Sequence, residues 1–263
     1  MNIHRVNRNF LFELYHWILV KLGVRKLQEE EIQILHQHVP YFKGLSPAHQ
    51  KEFKERLIYF LWTKQFIPRG NIQQVSTEMR ILIGAVAVKV TFGLEGVSLK
   101  HFNKILIYPD DYYSTINETY HQGEVNPRLG VIVISWRNFL RGHLDTRDGV
   151  NLGIHEIAHA LKLENRIHYN GESDFFHPKA WQEYVSLATK EIEKIRSGEY
   201  TILRQSAGKN EHEFFAVALE AFFEIPDRLL AYNAELYKGI VLLLQQDPLK
   251  LSDYWKQKDT ELK

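Results

Sequence analysis

His155, Glu156 and His159 stand in the pentapeptide HEIAH, and these side chains at this spacing describe a metal-assisted hydrolysis. Residues i and i+4 lie one turn apart on one face of a helix. Two imidazoles can therefore grip one cation while the glutamate beside them acts as base. Leu152, Ile157, Ala158 and Leu161 form an apolar stripe at helical spacing, which predicts a buried element. Polar groups on such a helix are costly unless partnered, and a bound divalent cation supplies the partner. The alternative is a core helix whose histidines only hydrogen-bond to neighbours.

A catalytic zinc takes three protein ligands and leaves a position for water. The chain has no cysteine, so the third ligand is a histidine or a carboxylate, and disulfides, thiolate metal sites and cysteine nucleophiles are excluded. A metzincin would place Gly and His three and six residues after His159, where this chain has Lys162 and Asn165. His168, Glu164, Glu172 and Asp174 follow in a polar segment as weaker candidates. The stronger one is Glu213, in the run EHEFFAVALEAFFE from Glu211 to Glu224. That run is apolar nearly all round, yet Glu213 and Glu220 fall two turns apart on one face. Glu213 as ligand and Glu220 as acceptor from a liganding histidine would compensate their burial. A helix-dipole contact for Glu213 and an ordinary ion pair for Glu220 would also do so.

The elements that must position these residues alternate helices with a few strands. Residues 10 to 24 and 29 to 38 read as short helices, and Ser46-Pro47 opens a longer one through Phe53, Leu57, Phe60 and Leu61. Ser76 opens a central helix that is apolar on nearly every side from Met79 to Val90. Lys104 to Tyr108 and Val131 to Trp136 read as strands, separated by a polar loop with Asp110, Asp111, Asn117 and Pro127. Helices are then expected from about Lys179 to Arg196, from Asn210 to Glu224 and from Asp227 to Gln246. The fold class is α+β: a small mixed sheet, the HEIAH helix and a helix-rich C-terminal half, preceded by N-terminal helices.

The 33 basic and 32 acidic residues nearly cancel over 263 positions, and no long like-charge block appears. This argues against a nucleic-acid-binding surface. The apolar stretch from Phe10 to Val24 is interrupted by Glu13, His16 and Lys21, which supports neither a signal peptide nor a spanning helix and leaves an amphipathic surface helix open. A cytoplasmic location is the expectation.

The combination DGVNLGIHEIAHALK, EFFAVALEAFF and QQDPL, with FKGLSPAHQKEFKERLIYFLWTKQF and ILIYP upstream, resembles the Mlc titration factor A family of bacterial zinc peptidases. The catalytic domain of that family is similar to that of anthrax lethal factor. The resemblance covers about residues 39 to 250. It implies a zincin-like metallopeptidase domain over 39–256, helical to about 97 with a catalytic core from about 98, behind an N-terminal helical extension of residues 1–38. It also implies one Zn2+ per chain, with His155 and His159 as zinc ligands, Glu156 as the catalytic glutamate and Glu213 as the third ligand. The family's relatives carry a tyrosine seven residues before the third ligand, where this chain has Ser206. Tyr200, Arg204 and His212 are the candidates to replace its oxyanion-stabilising role.

The expected reaction is hydrolysis of a peptide or protein substrate by a metal-activated water with Glu156 as general base. The strand Gly130 to Trp136 is either the substrate-side edge, to which an extended peptide adds by main-chain hydrogen bonds, or a plain core strand, as its apolar run also allows. The alternative function is a regulatory protein-binding factor that sequesters a transcription repressor, the activity from which the family takes its name.

Overall fold

The computed structural model describes residues 14–15, 18–114, 119–145 and 147–251, so part of the helix expected over 10 to 24 lies outside the described residues. Helices α1 (Glu29–His38) and α2 (Pro40–Gly44) lead into α3 (Pro47–Thr63). Ser46 caps α3 through its hydroxyl, which accepts from the His49 amide, with Pro47 at the first helical position. Strand β1 (Gln65–Pro68) follows, and then α4 (Thr77–Thr91), capped by Ser76. Ten residues of α4 are buried, as its uniformly apolar sequence predicts. Leu35 of α1 is fully buried in the same hydrophobic cluster as Phe53, Leu82 and Phe92, so α1 packs into the main core.

The sheet is small and mixed, with order β1-β2-β6-β5 among the described strands. Strands β1, β2 (Lys104–Tyr108) and β6 (Val131–Ser135) run parallel, and β5 (Gly123–Asn126) runs antiparallel to β6, with Gly123 opposite Ile134 and Asn126 opposite Val131. A two-stranded hairpin, β3 (Tyr112–Ser114) with β4 (Thr119–His121), precedes β5. The segment expected to be a polar loop therefore contains three short strands.

The 130 to 136 strand is not the sheet edge. It lies between β2 and β5, and all five residues of β6 are buried. A run of Val-Ile-Val-Ile-Ser is apolar on both faces, as an interior strand requires, whereas the half-polar β5 takes the edge. Trp136 begins helix α5 (Trp136–Leu144) instead of ending the strand, because the Ser135 hydroxyl accepts from the Asn138 amide and caps the turn.

The C-terminal half is helical: α6 (Leu152–Glu164), α7 (Pro178–Ser197), α8 (Glu211–Glu224), α9 (Pro226–Tyr232) and α10 (Ala234–Leu244). Gly198, at φ +79°, closes α7 in the left-handed conformation. The single helix expected from Asp227 to Gln246 is broken at Asn233, which caps α10 by accepting from the Leu236 amide and donates to Glu191. Helices α6 and α8 pack against each other, and Ile157, Ala158 and Leu161 of the first and Ala216 and Leu219 of the second are buried in the same core. The α+β architecture with a small mixed sheet and helices at both ends agrees with the expectation from sequence.

Candidate metal centre

Two asparagines set the two helices that matter. Asn151 caps α6, its Oδ1 accepting from the Ile154 amide at 3.0 Å, so the first turn leads directly into His155. Asn210 caps α8 by accepting from the amides of His212 (2.9 Å) and Glu213 (3.0 Å), which fixes Glu213 in the first turn. Lys162, in the last turn of α6, ties that end of the helix to the start of α8, its ammonium donating to the Glu211 carbonyl at 2.9 Å.

The side chains of His155, His159 and Glu213 converge. Their ligand atoms all lie within 4.8 Å of one another. The two Nε2 atoms are 3.1 Å apart; His159 Nε2 is 3.4 Å from Glu213 Oε1 and His155 Nε2 is 3.8 Å from Glu213 Oε2. Nitrogens each bound to a tetrahedral zinc at about 2.0–2.1 Å would stand about 3.3 Å apart. Two imidazole nitrogens this close need a proton or a cation between them, because their lone pairs otherwise oppose. The donor set and its spacing thus fit a small divalent ion, and two histidines with one glutamate form a familiar catalytic zinc set.

Behind His155, Nδ1 is 2.6 Å from Glu220 Oε1, which assigns the ring proton to Nδ1 and leaves Nε2 free as a donor to the cation. Glu220 is fully buried and also accepts from the Asn151 amide at 2.7 Å and from the Arg204 guanidinium. Burial opposes charge on His155, but the hydrogen bond to Glu220 and the nearby carboxylates outweigh it and raise its pKa above the usual value. The hydrogen bond from His159 lowers that of Glu213, against burial. In Glu156, burial pushes the carboxyl up to about 8; Glu213 and Glu220 push the same way and His155 opposes them.

Glu156 and the three converging residues line a cleft of about 770 Å³, whose far wall is the hairpin and edge strand from Tyr120 to Val125. Gly123 of β5 abuts the glutamate: a Cβ added there would lie 2.6 Å from Glu156 Cγ. A side chain at this point would have to displace the Glu156 carboxylate. His121, whose buried Nε2 has no partner, lines the same wall. The sequence reading missed both residues, and the available signal was faint: a glycine and a histidine two residues apart in a polar stretch.

The other candidates lie elsewhere. His168 pairs with Asp174 at 3.2 Å on the exposed surface. Glu172 accepts from the amides of Ser98 and Lys100 and from the Ser98 hydroxyl, while Glu164 accepts from the His101 amide and Asn170. Tyr200 is 81% exposed and stacks edge-on against Tyr232, outside the cleft lining. Ser206 sits in a 3-10 turn (Gln205–Gly208), with its buried Oγ unpartnered, and does not line the cleft either. Arg204 and His212 do line it.

Comparison with known proteins sets this geometry in context. A sequence model of the family described as glucose-regulated metallo-peptidase M90 matches residues 16–244, beginning well upstream of the motifs quoted above. An uncharacterized protein of Synechocystis sp. is 26% identical over 248 residues, covering 89% of this chain and 90% of its own. Mlc titration factor A of Yersinia pestis (strain Pestoides F) is 25% identical over 249 residues, covering 88% and 91%, and the protein of the same name from Yersinia pseudotuberculosis serotype O:1b gives the same figures.

Proposed function

The chain belongs to the glucose-regulated metallo-peptidase M90 family, and from that premise we propose that it is a zinc-dependent peptidase with a zincin-like catalytic domain over about residues 39–256. One observation carries the reading: two imidazole nitrogens and a carboxylate at ligand spacing, with a buried glutamate beside them in a cleft. His155, His159 and Glu213 would hold the ion. Zinc bound there polarises a carbonyl and acidifies water.

The remaining work falls to the protein's own groups. Glu156, made more basic by burial, takes a proton from the attacking water at a carboxylate oxygen and delivers it to the leaving nitrogen as the C–N bond breaks. Glu220 holds the His155 ring by its Nδ1 proton. The β5 edge, with Gly123 against Glu156, receives an extended peptide through main-chain hydrogen bonds, the role that one reading of the sequence assigns to β6. In place of the family's tyrosine, His212 is the donor assigned to the carbonyl oxygen, since it lines the cleft beside Glu213 and the Arg204 guanidinium is engaged by Glu220.

The test is cleavage of a mixed peptide library by the wild type and by Glu156→Gln. Loss of about 10²–10⁴ in rate, with metal content kept, is the expected result. Equal cleavage by both would remove the reading.

A second reading is favoured by one observation: Ser206, which stands at the position of the family's tyrosine, does not line the cleft. On that reading the protein acts by binding a regulatory protein partner, as the relatives' name Mlc titration factor A suggests and the family resemblance implies for a transcription repressor, and cleaves weakly or not at all. Glu156→Gln would then retain the cellular activity in full.

A further inference from the structure

Residues 1–28 carry five Lys and Arg residues against one acidic residue, Glu13, whereas the rest of the chain has 28 basic against 31 acidic. Within the described part of this segment, Val20 and Leu27 turn inward and are 7% exposed. Leu14, Tyr15, Ile18, Leu22 and Val24 stay outside, between 39% and 72% exposed. Leu14, Ile18 and Leu22 recur every four residues, the spacing of one helix face. Trp62 of α3, 57% exposed, extends the surface, with the Arg25 guanidinium 4.0 Å above its ring centroid.

Scattered exposed apolar residues need no explanation, but an apolar face flanked by an indole and by cations does. The chemistry selects the occupant. A second copy of the chain would bring one cationic segment against another, which like-charge repulsion opposes. An anionic lipid surface accepts apolar side chains at the acyl boundary, an indole at headgroup depth and Lys and Arg against the phosphates. We propose that the protein binds peripherally to anionic bilayers through Leu14, Tyr15, Ile18, Leu22, Val24 and Trp62, with Arg25 and Lys26 facing the headgroups. Lys21, paired with Glu55, holds the segment to α3. No helix among the described residues is long and apolar enough to cross a membrane, so the contact is with the surface. This inference does not depend on the metal centre.

The experiment is co-flotation of the full chain with vesicles of phosphatidylglycerol mixed with phosphatidylcholine, and with vesicles of phosphatidylcholine alone. Binding to the anionic vesicles should exceed that to the neutral ones by about tenfold or more and fall as salt rises. Joint substitution Leu14→Ser, Ile18→Ser and Leu22→Ser should lower it by about tenfold or more. Arg25→Glu with Lys26→Glu should remove the preference for anionic lipid. The triple variant should keep the wild-type melting temperature, since Leu14, Ile18 and Leu22 are exposed. Absence of wild-type binding, or a triple variant that floats as well as the wild type, would overturn the proposal. So would a concentration-dependent dimer, lost in the triple variant, without flotation.

Discussion

The two ends of helix α6 each hold buried carboxylates, and they treat them differently. At the C-terminal end, Glu164 and its neighbour Glu172 are surrounded by donors: the amides of Ser98, Lys100 and His101, the Ser98 hydroxyl and Asn170. Those bonds fasten the segment 98–101 to the loop after α6. At the N-terminal end, Glu220 is equally well donated to, but Glu156 and Glu213 face a cleft, and the side-chain partners of Glu213 among the described residues are histidine nitrogens. A buried carboxylate with its donors supplied by backbone is architecture, and a carboxylate that faces imidazoles and a cleft is a candidate for chemistry.

The contrast is sharpened most by Glu220→Ala, which leaves His155 Nδ1, the Asn151 amide and Arg204 without their acceptor. Zinc affinity should fall by about 10–100-fold, as measured by competition with a chelator. Gly123→Ala should lower the cleavage rate by about tenfold or more and leave zinc affinity unchanged, because the added Cβ displaces the Glu156 side chain and none of the ligands. At the other end, Glu172→Ala strands three donors and should cost about 2–4 kcal/mol in urea unfolding with no change in zinc affinity. A zinc affinity lowered as much by Glu172→Ala as by Glu220→Ala would erase the distinction.

A further effect is one of pH. Burial and the Glu172 charge push the Glu164 carboxyl up to about 7 from an ordinary 4.5, against the His101 amide and Asn170. The folded state therefore binds this proton more tightly than the unfolded one. Its contribution to stability is complete below pH 4.5 and is lost as pH rises through about 7, a change on the order of 3 kcal/mol before solvent screening. Glu164→Gln should flatten the stability profile over that window, as read by urea midpoints at pH 5 and pH 8.

Much of the site is legible in the chain because its signals are local. The HEIAH helix declares itself by an apolar stripe, and Glu213 and Glu220 stand out because the rest of their helix is apolar. The edge of the sheet is not legible, since β5 is only Gly-Glu-Val-Asn and its place in the strand order depends on pairing with β6, a non-local fact. The break at Asn233 is hidden for the same reason: the apolar period runs through it, and the Glu191 carboxylate that rewards the break lies on α7. The value of Gly123 appears only when β5 is set against Glu156.

The most direct measurement is elemental analysis and chelator-competition affinity of the purified wild type beside Glu213→Ala and Glu172→Ala. The account predicts about one zinc per chain in the wild type and in Glu172→Ala, with zinc lost or greatly weakened in Glu213→Ala. A wild type that takes up no zinc, or a Glu213→Ala variant that holds it as tightly as the wild type, would contradict the assignment of His155, His159 and Glu213 as a metal centre.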